Sequence, residues 1–116
     1  MNEKNKKMFI LSELSKFNFK RYSKGFKYLS EAILLCIDNP DYLDNLTKYV
    51  FPVIATKYNE ISFFNVKWCI EQVLKTMYNN TSTSLISKYF NIDEHLKPSV
   101  KLVIYTIVCK YEWKYS

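Results

Sequence analysis

The chain has 116 residues but only one glycine, Gly25. Folds built from many strands need glycine in their turns, and loops that cradle phosphate need several glycines close together. The scarcity of glycine therefore disfavours both a strand-rich fold and a nucleotide-binding loop.

Residues with reactive or metal-binding side chains are also few. Cys36, Cys69 and Cys109 are far apart in apolar stretches, so we expect buried free thiols in a reducing compartment and no zinc site. The one histidine, His95, follows Asp93 and Glu94, but three adjacent loop residues are weak grounds for a metal site. No nucleophile–base pair is recognisable, so the sequence predicts neither an enzyme nor a bound cofactor or metal.

Long apolar runs are missing as well. None reaches the roughly 18–20 residues that span a bilayer. Polar residues interrupt the first apolar stretch too early for a signal peptide. We therefore expect a cytoplasmic protein without membrane contact.

Positive charge and apolar side chains are abundant. The net charge is +6, and a basic surplus attracts polyanions such as DNA. The surplus is concentrated in the first quarter of the chain, where eight cations face only Glu3 and Glu13. These cations are Lys4, Lys6, Lys7, Lys16, Lys20, Arg21, Lys24 and Lys27. We expect a basic N-terminal arm and a first helix over residues 1–22.

Apolar residues recur at helical spacing along most of the chain. This pattern predicts one compact all-α domain of six to seven helices over residues 1–116. The predicted helices cover about residues 5–17, 24–38, 41–50, 52–58, 63–78, 83–90 and 100–113. Ser23, Ser62 and Ser99 are the predicted N-caps of three of them, and Asp41 or Asp44 caps the third helix.

Residues 52–78 have the outline of a helix-turn-helix. Pro52 interrupts a helical pattern and is tolerated only in a first turn, so a short helix is predicted from Pro52 to Tyr58. A tight turn follows at Asn59-Glu60-Ile61, and then a longer helix from about Phe63 to Tyr78. Val66, Ile70, Val73 and Met77 are spaced as its buried face. In DNA-binding proteins of this outline the second helix lies in the major groove.

Three segments carry a resemblance to a known family. They are Lys24–Ile33 (KGFKYLSEAI), Leu46–Asn59 (LTKYVFPVIATKYN) and Lys97-Pro98-Ser99 before the last helix. In order and spacing they resemble the effector domain of stage-zero sporulation protein A, the response regulator that starts endospore formation. The resemblance covers about residues 24–108.

The resemblance implies a six-helix domain in which residues 52–58 and about 63–78 read DNA. It also implies a short AT-rich operator, tandem sites and a homodimer on them. The chain has no room for the receiver domain of that regulator, so we expect control that does not depend on phosphorylation. Asn65, Trp68 and Glu71 stand where the family has arginines, so its operator preference is not carried over.

The side chains of the second helix suggest particular DNA contacts. Amides read adenine, lysines bind phosphate or guanine, and apolar groups contact the thymine methyl. The candidates are Asn65 and Gln72 for adenine, Lys67 and Lys75 for phosphate or guanine, Lys57 and Ser62 for phosphate, and Trp68 or Phe64 for thymine.

The aromatic residues leave two interpretations open. Phe63, Phe64 and Trp68 either pack against a neighbouring helix or form an exposed patch that binds a protein. The leading hypothesis is a sequence-specific regulator of transcription that binds double-stranded DNA. The alternative is a protein-interaction module on the same fold, which modulates a related regulator or RNA polymerase.

Overall fold

Seven α-helices follow one another in the computed structural model, which describes residues 2–116. They are α1 (Glu3–Leu14), α2 (Lys24–Asp38), α3 (Leu46–Tyr49), α4 (Phe51–Lys57), α5 (Phe63–Asn80), α6 (Thr83–Phe90) and α7 (Val100–Tyr115). A 3-10 helix, Pro40–Asp44, joins α2 to α3. No β-strand occurs in this part of the chain, and the predicted all-α fold with a helix-turn-helix is confirmed.

Most helix starts follow local capping chemistry. The side chains of Ser23, Ser62 and Ser99 each accept a hydrogen bond from a backbone N–H of the helix that follows, as predicted. The predicted cap of the third helix is wrong. Pro40 starts the 3-10 helix, which takes up Asp41 and Asp44, and the side chain of Asn45 caps α3 instead.

Helix α2 lies at the centre of the domain and packs against α1, α4, α5 and α7. Its inner stripe is buried, and it consists of Phe26, Leu29, Ile33, Cys36 and Ile37. The apolar core extends from Phe9 in α1 to Tyr111 in α7, whose rings meet edge to face at 5.3 Å. Among residues 2–116, every helix is too short or too polar to span a lipid bilayer.

The basic N-terminal segment is folded from Glu3 onward. Phe9, Ile10 and Leu14 bury α1 against the core, and the Lys6 ammonium lies 2.6 Å from the Asp38 carboxylate at the end of α2. The structure therefore gives residues 3–14 as a packed helix rather than an extended arm.

The three cysteines are free thiols, but they are not all buried. Cys36 is enclosed in the core, where burial raises the pKa of its thiol to about 12. Cys69 and Cys109 lie at the rims of α5 and α7 and are partly exposed. The expectation of three buried thiols is thus wrong for two of them, because an apolar sequence neighbourhood does not fix which face of a helix a residue occupies.

Candidate nucleic-acid interface

A short turn separates α4 from α5. Asn59 adopts a left-handed conformation with φ of 56°, and the N–H of Glu60 donates to the Ala55 carbonyl at 2.9 Å. These features close the C-terminal end of α4. Ser62 then opens α5, since its Oγ accepts from the N–H of Phe64 at 3.0 Å. The two helices are therefore distinct, as a helix-turn-helix requires.

Gly25 lets α2 and α5 approach each other closely. A Cβ at this position would overlap the Cys69 carbonyl oxygen and lie 2.8 Å from the Cβ of Val73. Only glycine fits there without a shift of one helix. The contact fixes the inner face of α5 on α2, so the opposite face of α5 points away from the domain.

The turn is also fastened to α2 by polar contacts. The Tyr28 hydroxyl donates to the Glu60 carboxylate. The Oε1 of Glu31 accepts from both the Lys57 ammonium and the Tyr58 hydroxyl, each at 2.9 Å. These bonds tie α4 and the turn to the same helix that holds α5, so the relative positions of α4 and α5 are set by α2.

The same contacts shift the titration of the groups involved. The hydrogen bond to Glu31 raises the pKa of Lys57, although partial burial opposes the shift. Burial raises the pKa of Tyr58, and its hydrogen bond to Glu31 raises it further. At neutral pH the lysine is therefore charged and the tyrosine is neutral.

The structure places six of the eight predicted site residues on the outer face of α5. All six are exposed: Phe64, Asn65, Lys67, Trp68, Gln72 and Lys75. Ser62 is partly buried at the helix start. Lys57, at the end of α4, keeps 55% of its side chain exposed although it is paired with Glu31.

The aromatic residues of α5 divide between the core and the surface. Phe63 is partly buried against the core, and its ring stacks on that of Phe64 at 4.3 Å. Phe64 and Trp68 are 66% and 60% exposed. Of the two interpretations left open by the sequence, packing applies to Phe63, and exposure applies to Phe64 and Trp68.

Two cations beside α5 were not among the predicted site residues. Lys20 and Lys24, near the start of α2, line a groove together with Trp68 and Gln72. The charge surplus of the first quarter was the available signal. A charge surplus, however, does not indicate which helix, distant in sequence, packs beside these lysines.

An all-α domain whose short helix and turn present a longer helix, with an exposed polar, basic and aromatic face, belongs to the helix-turn-helix class of DNA-binding domains. The family described as "Sporulation initiation factor Spo0A C terminal" matches residues 10–110, and the chain belongs to this family. The match confirms the resemblance carried by residues 24–108. The family is one of DNA-binding domains that regulate transcription in sporulation, rather than of enzymes.

Proposed function

We propose that this chain is a sequence-specific regulator of transcription in which α5 lies in the major groove of double-stranded DNA. The observation that carries the proposal is the outward face of α5, which presents amide, lysine and aromatic side chains to solvent directly after the capped turn. An α-helix with its side chains is about 10–12 Å across and fits a major groove about 12 Å wide.

Two rows of side chains on α5 have different proposed roles, one in contacting bases and one in contacting phosphates. Asn65, Trp68 and Gln72 follow helical spacing along one row, and Lys67, Glu71 and Lys75 follow it along another. In the first row, the amides pair with the edge of adenine and Trp68 contacts a thymine methyl. Because both chemistries select A·T pairs, we propose an AT-rich operator.

The second row faces the phosphates. Lys67 and Lys75 neutralise phosphate charge, while Glu71 between them repels phosphate or accepts from the amino group of cytosine. Phe64, at the helix start, is a second candidate for a thymine methyl.

Ser62 and Lys57 contact the backbone beside the turn. The Ser62 Oγ accepts from the N–H of Phe64, so its hydroxyl hydrogen is available to a phosphate oxygen. Lys57 forms an ion pair with Glu31, and we therefore expect it to contribute less to DNA affinity than Lys67 or Lys75.

Fluorescence anisotropy with labelled random and AT-rich duplexes, over a series of salt concentrations, tests the proposal. We expect log K to fall linearly with log salt, by about 0.9 per phosphate contacted. The double variant Lys67→Ala/Lys75→Ala should weaken binding and reduce that slope. Lys88→Ala/Lys114→Ala removes the same charge from α6 and α7 and should bind more nearly like wild type. Absence of wild-type binding at low salt would overturn the proposal.

Base reading has its own test. Selection from a random duplex library should return AT-rich sites. Asn65→Ala or Gln72→Ala should lower the preference for those sites over scrambled duplexes by about 1–3 kcal/mol, that is about 5- to 150-fold. An unchanged preference in both variants would place base reading elsewhere.

Tandem binding is a separate part of the proposal. We expect two copies to occupy a duplex with two adjacent sites more tightly than two separate sites. A titration of one-site and two-site duplexes measures this, and equal affinity per site would exclude a homodimer on DNA.

The exposed aromatic residues favour a second candidate function. The Phe64 ring, stacked on Phe63, and the nearby Trp68 offer an apolar surface for a protein partner, and Glu71 lies on the same helix. In that case the chain would modulate a related regulator or RNA polymerase. Loss of partner binding in Phe64→Ala/Trp68→Ala, with no binding of wild type to any duplex, would support this function over the first.

A further inference from the structure

A groove of about 230 Å³ runs beside the outer face of α5. Its wall on the α2 side includes Lys20, Ser23 and Lys24, and its wall on α5 includes Trp68, Gln72 and Thr76. Since Trp68 and Gln72 also belong to the proposed base-reading row, the groove is continuous with that row.

The α2 side of the groove is strongly cationic. Lys20 and Lys24 line this side and are exposed. Arg21, the one arginine of the sequence, follows Lys20 directly and is also exposed. Within residues 2–116, no carboxylate lies within 4 Å of the Lys20 or Arg21 side-chain nitrogens. The Lys24 ammonium is 3.7 Å from Glu60 and keeps 68% of its side chain exposed.

The facing wall adds no charge that would cancel these cations. Trp68, Gln72 and Thr76 are neutral and offer an aromatic surface, an amide and a hydroxyl. A groove with one cationic wall and one neutral wall favours an anionic ligand that runs along it.

We infer that residues 20–24, named the basic segment here, are a second DNA-contacting element that holds the phosphodiester backbone beside the major groove occupied by α5. This inference rests on the proposed function. A helix that fills the major groove has a sugar–phosphate chain along each side. Lys20 and Lys24 lie beside α5 and would meet the phosphates of one strand, with Arg21 next to them in sequence, while Trp68 and Gln72 face the bases.

The basic segment is held in a fixed position relative to α5. The Ser23 hydroxyl donates to the Lys20 carbonyl at 2.8 Å, and its Oγ accepts from the N–H of Phe26 at 3.2 Å. Gly25, the next residue after the segment, is in close contact with the backbone of α5 at Cys69. The segment and α5 therefore approach DNA as one rigid unit, which lowers the entropy cost of the phosphate contacts.

The experiment compares wild type with three charge variants by anisotropy on a selected duplex and a scrambled duplex over a salt series. One of the three is the Lys67→Ala/Lys75→Ala variant described above. The triple variant Lys20→Ala/Arg21→Ala/Lys24→Ala should bind both duplexes more weakly, with a salt slope shallower by about 0.9 for each phosphate that the variant no longer neutralises. The ratio of its two affinities should stay at the wild-type value, because phosphate contacts carry no base information. Lys88→Ala/Lys110→Ala/Lys114→Ala is the matched control for the reduced net charge.

The possible outcomes distinguish failure of this inference from failure of the proposed function. A triple variant with the affinity and salt slope of the matched control overturns the inference and leaves the proposed function standing if Lys67→Ala/Lys75→Ala weakens binding. If the basic-segment variant loses binding while Lys67→Ala/Lys75→Ala does not, the segment binds DNA, but the assignment of α5 and the placement of the segment beside it are both overturned. If wild type binds no duplex at low salt, both are overturned, and binding of an acidic protein becomes the explanation of the cationic groove.

A neutral-phosphate probe gives an independent check. Methylphosphonates placed in one strand beside the α5 site should weaken wild type at specific positions. At those positions they should have no further effect on the basic-segment variant. Equal weakening of both proteins at every position would contradict the contact.

Discussion

Gly25 and Cys69 mark the point at which α2 and α5 come closest, since the space for a Cβ at Gly25 is occupied by the Cys69 carbonyl oxygen. This contact joins the central helix to the helix that we propose reads DNA. It also explains why the one glycine of the chain stands inside a helix, where glycine costs about 1 kcal/mol relative to alanine.

Replacing this glycine tests the contact directly. Although alanine is the better helix former, Gly25→Ala should lower the free energy of unfolding by about 1–3 kcal/mol, because the added methyl forces α2 and α5 apart. Urea unfolding followed by circular dichroism measures the change. Ser30→Ala, in the same helix, is the control and should stay within about 0.5 kcal/mol of wild type. A Gly25→Ala variant as stable as wild type would show that the helices separate at no cost.

Asn59 is the residue of the turn whose backbone is left-handed. Its φ of 56° is open to glycine and asparagine but disfavours branched side chains. Asn59→Gly should therefore be tolerated, whereas Asn59→Val should cost about 1–2 kcal/mol in unfolding free energy. Asn79→Val, in the last turn of α5, is the control and should cost only a few tenths. Equal effects of valine at both positions would argue against a left-handed turn in solution.

Three tyrosines with raised pKa make the stability of the fold decrease with pH in the alkaline range. Burial raises the pKa of Tyr89 above its ordinary value of 10, and its hydrogen bond to Glu13 adds to the shift. Burial likewise raises the pKa of Tyr28 and Tyr78. Because a raised folded-state pKa favours the protonated form, this contribution to stability is complete below about pH 10 and is lost as pH rises further.

Urea unfolding at a series of pH values from 7 to 11 measures this loss. Stability should decline above about pH 10, and Tyr89→Phe should show a shallower decline because one shifted phenol is removed. Tyr22→Phe removes a fully exposed phenol and should leave the decline as in wild type. A decline of the same steepness in Tyr89→Phe would contradict the shift.

Trp68 can report DNA binding by its own fluorescence. In a Trp113→Phe background it is the single tryptophan, and at 60% exposure it should be quenched readily by acrylamide. Saturating duplex should protect it, since the proposed contact covers its ring. The reciprocal variant Trp68→Phe keeps only Trp113 on α7, whose quenching should not change with DNA. Protection of Trp113 instead would move the interface to α7.

Much of the fold could be read from local sequence. The caps Ser23, Ser62 and Ser99 act within three residues, and the stripe from Val66 to Met77 repeats with the period of the helix. Such signals do not depend on the rest of the chain. Where neighbouring residues compete for one role, as Asp41, Asp44 and Asn45 do, the outcome depends on where the preceding 3-10 helix ends.

The candidate site was predictable as one helix face but not as a surface. The sequence predicted Asn65, Trp68 and Gln72 as site residues of α5, and helical spacing is enough to place them away from its buried stripe. It did not place Lys20 and Lys24 beside Trp68, since more than 40 residues separate the two segments. Nor did it show Lys57 sharing its charge with Glu31.

The sequence by itself determined the helices, the break between α4 and α5, and the family, because caps, periodicity and motifs are properties of neighbouring residues. Only the tertiary structure decided which face of α5 is open, that Gly25 seats α2 against it, and that a cationic groove runs along its side. Those features depend on the packing of residues far apart in the chain, where contact is set by the shape of the assembled core rather than by sequence order.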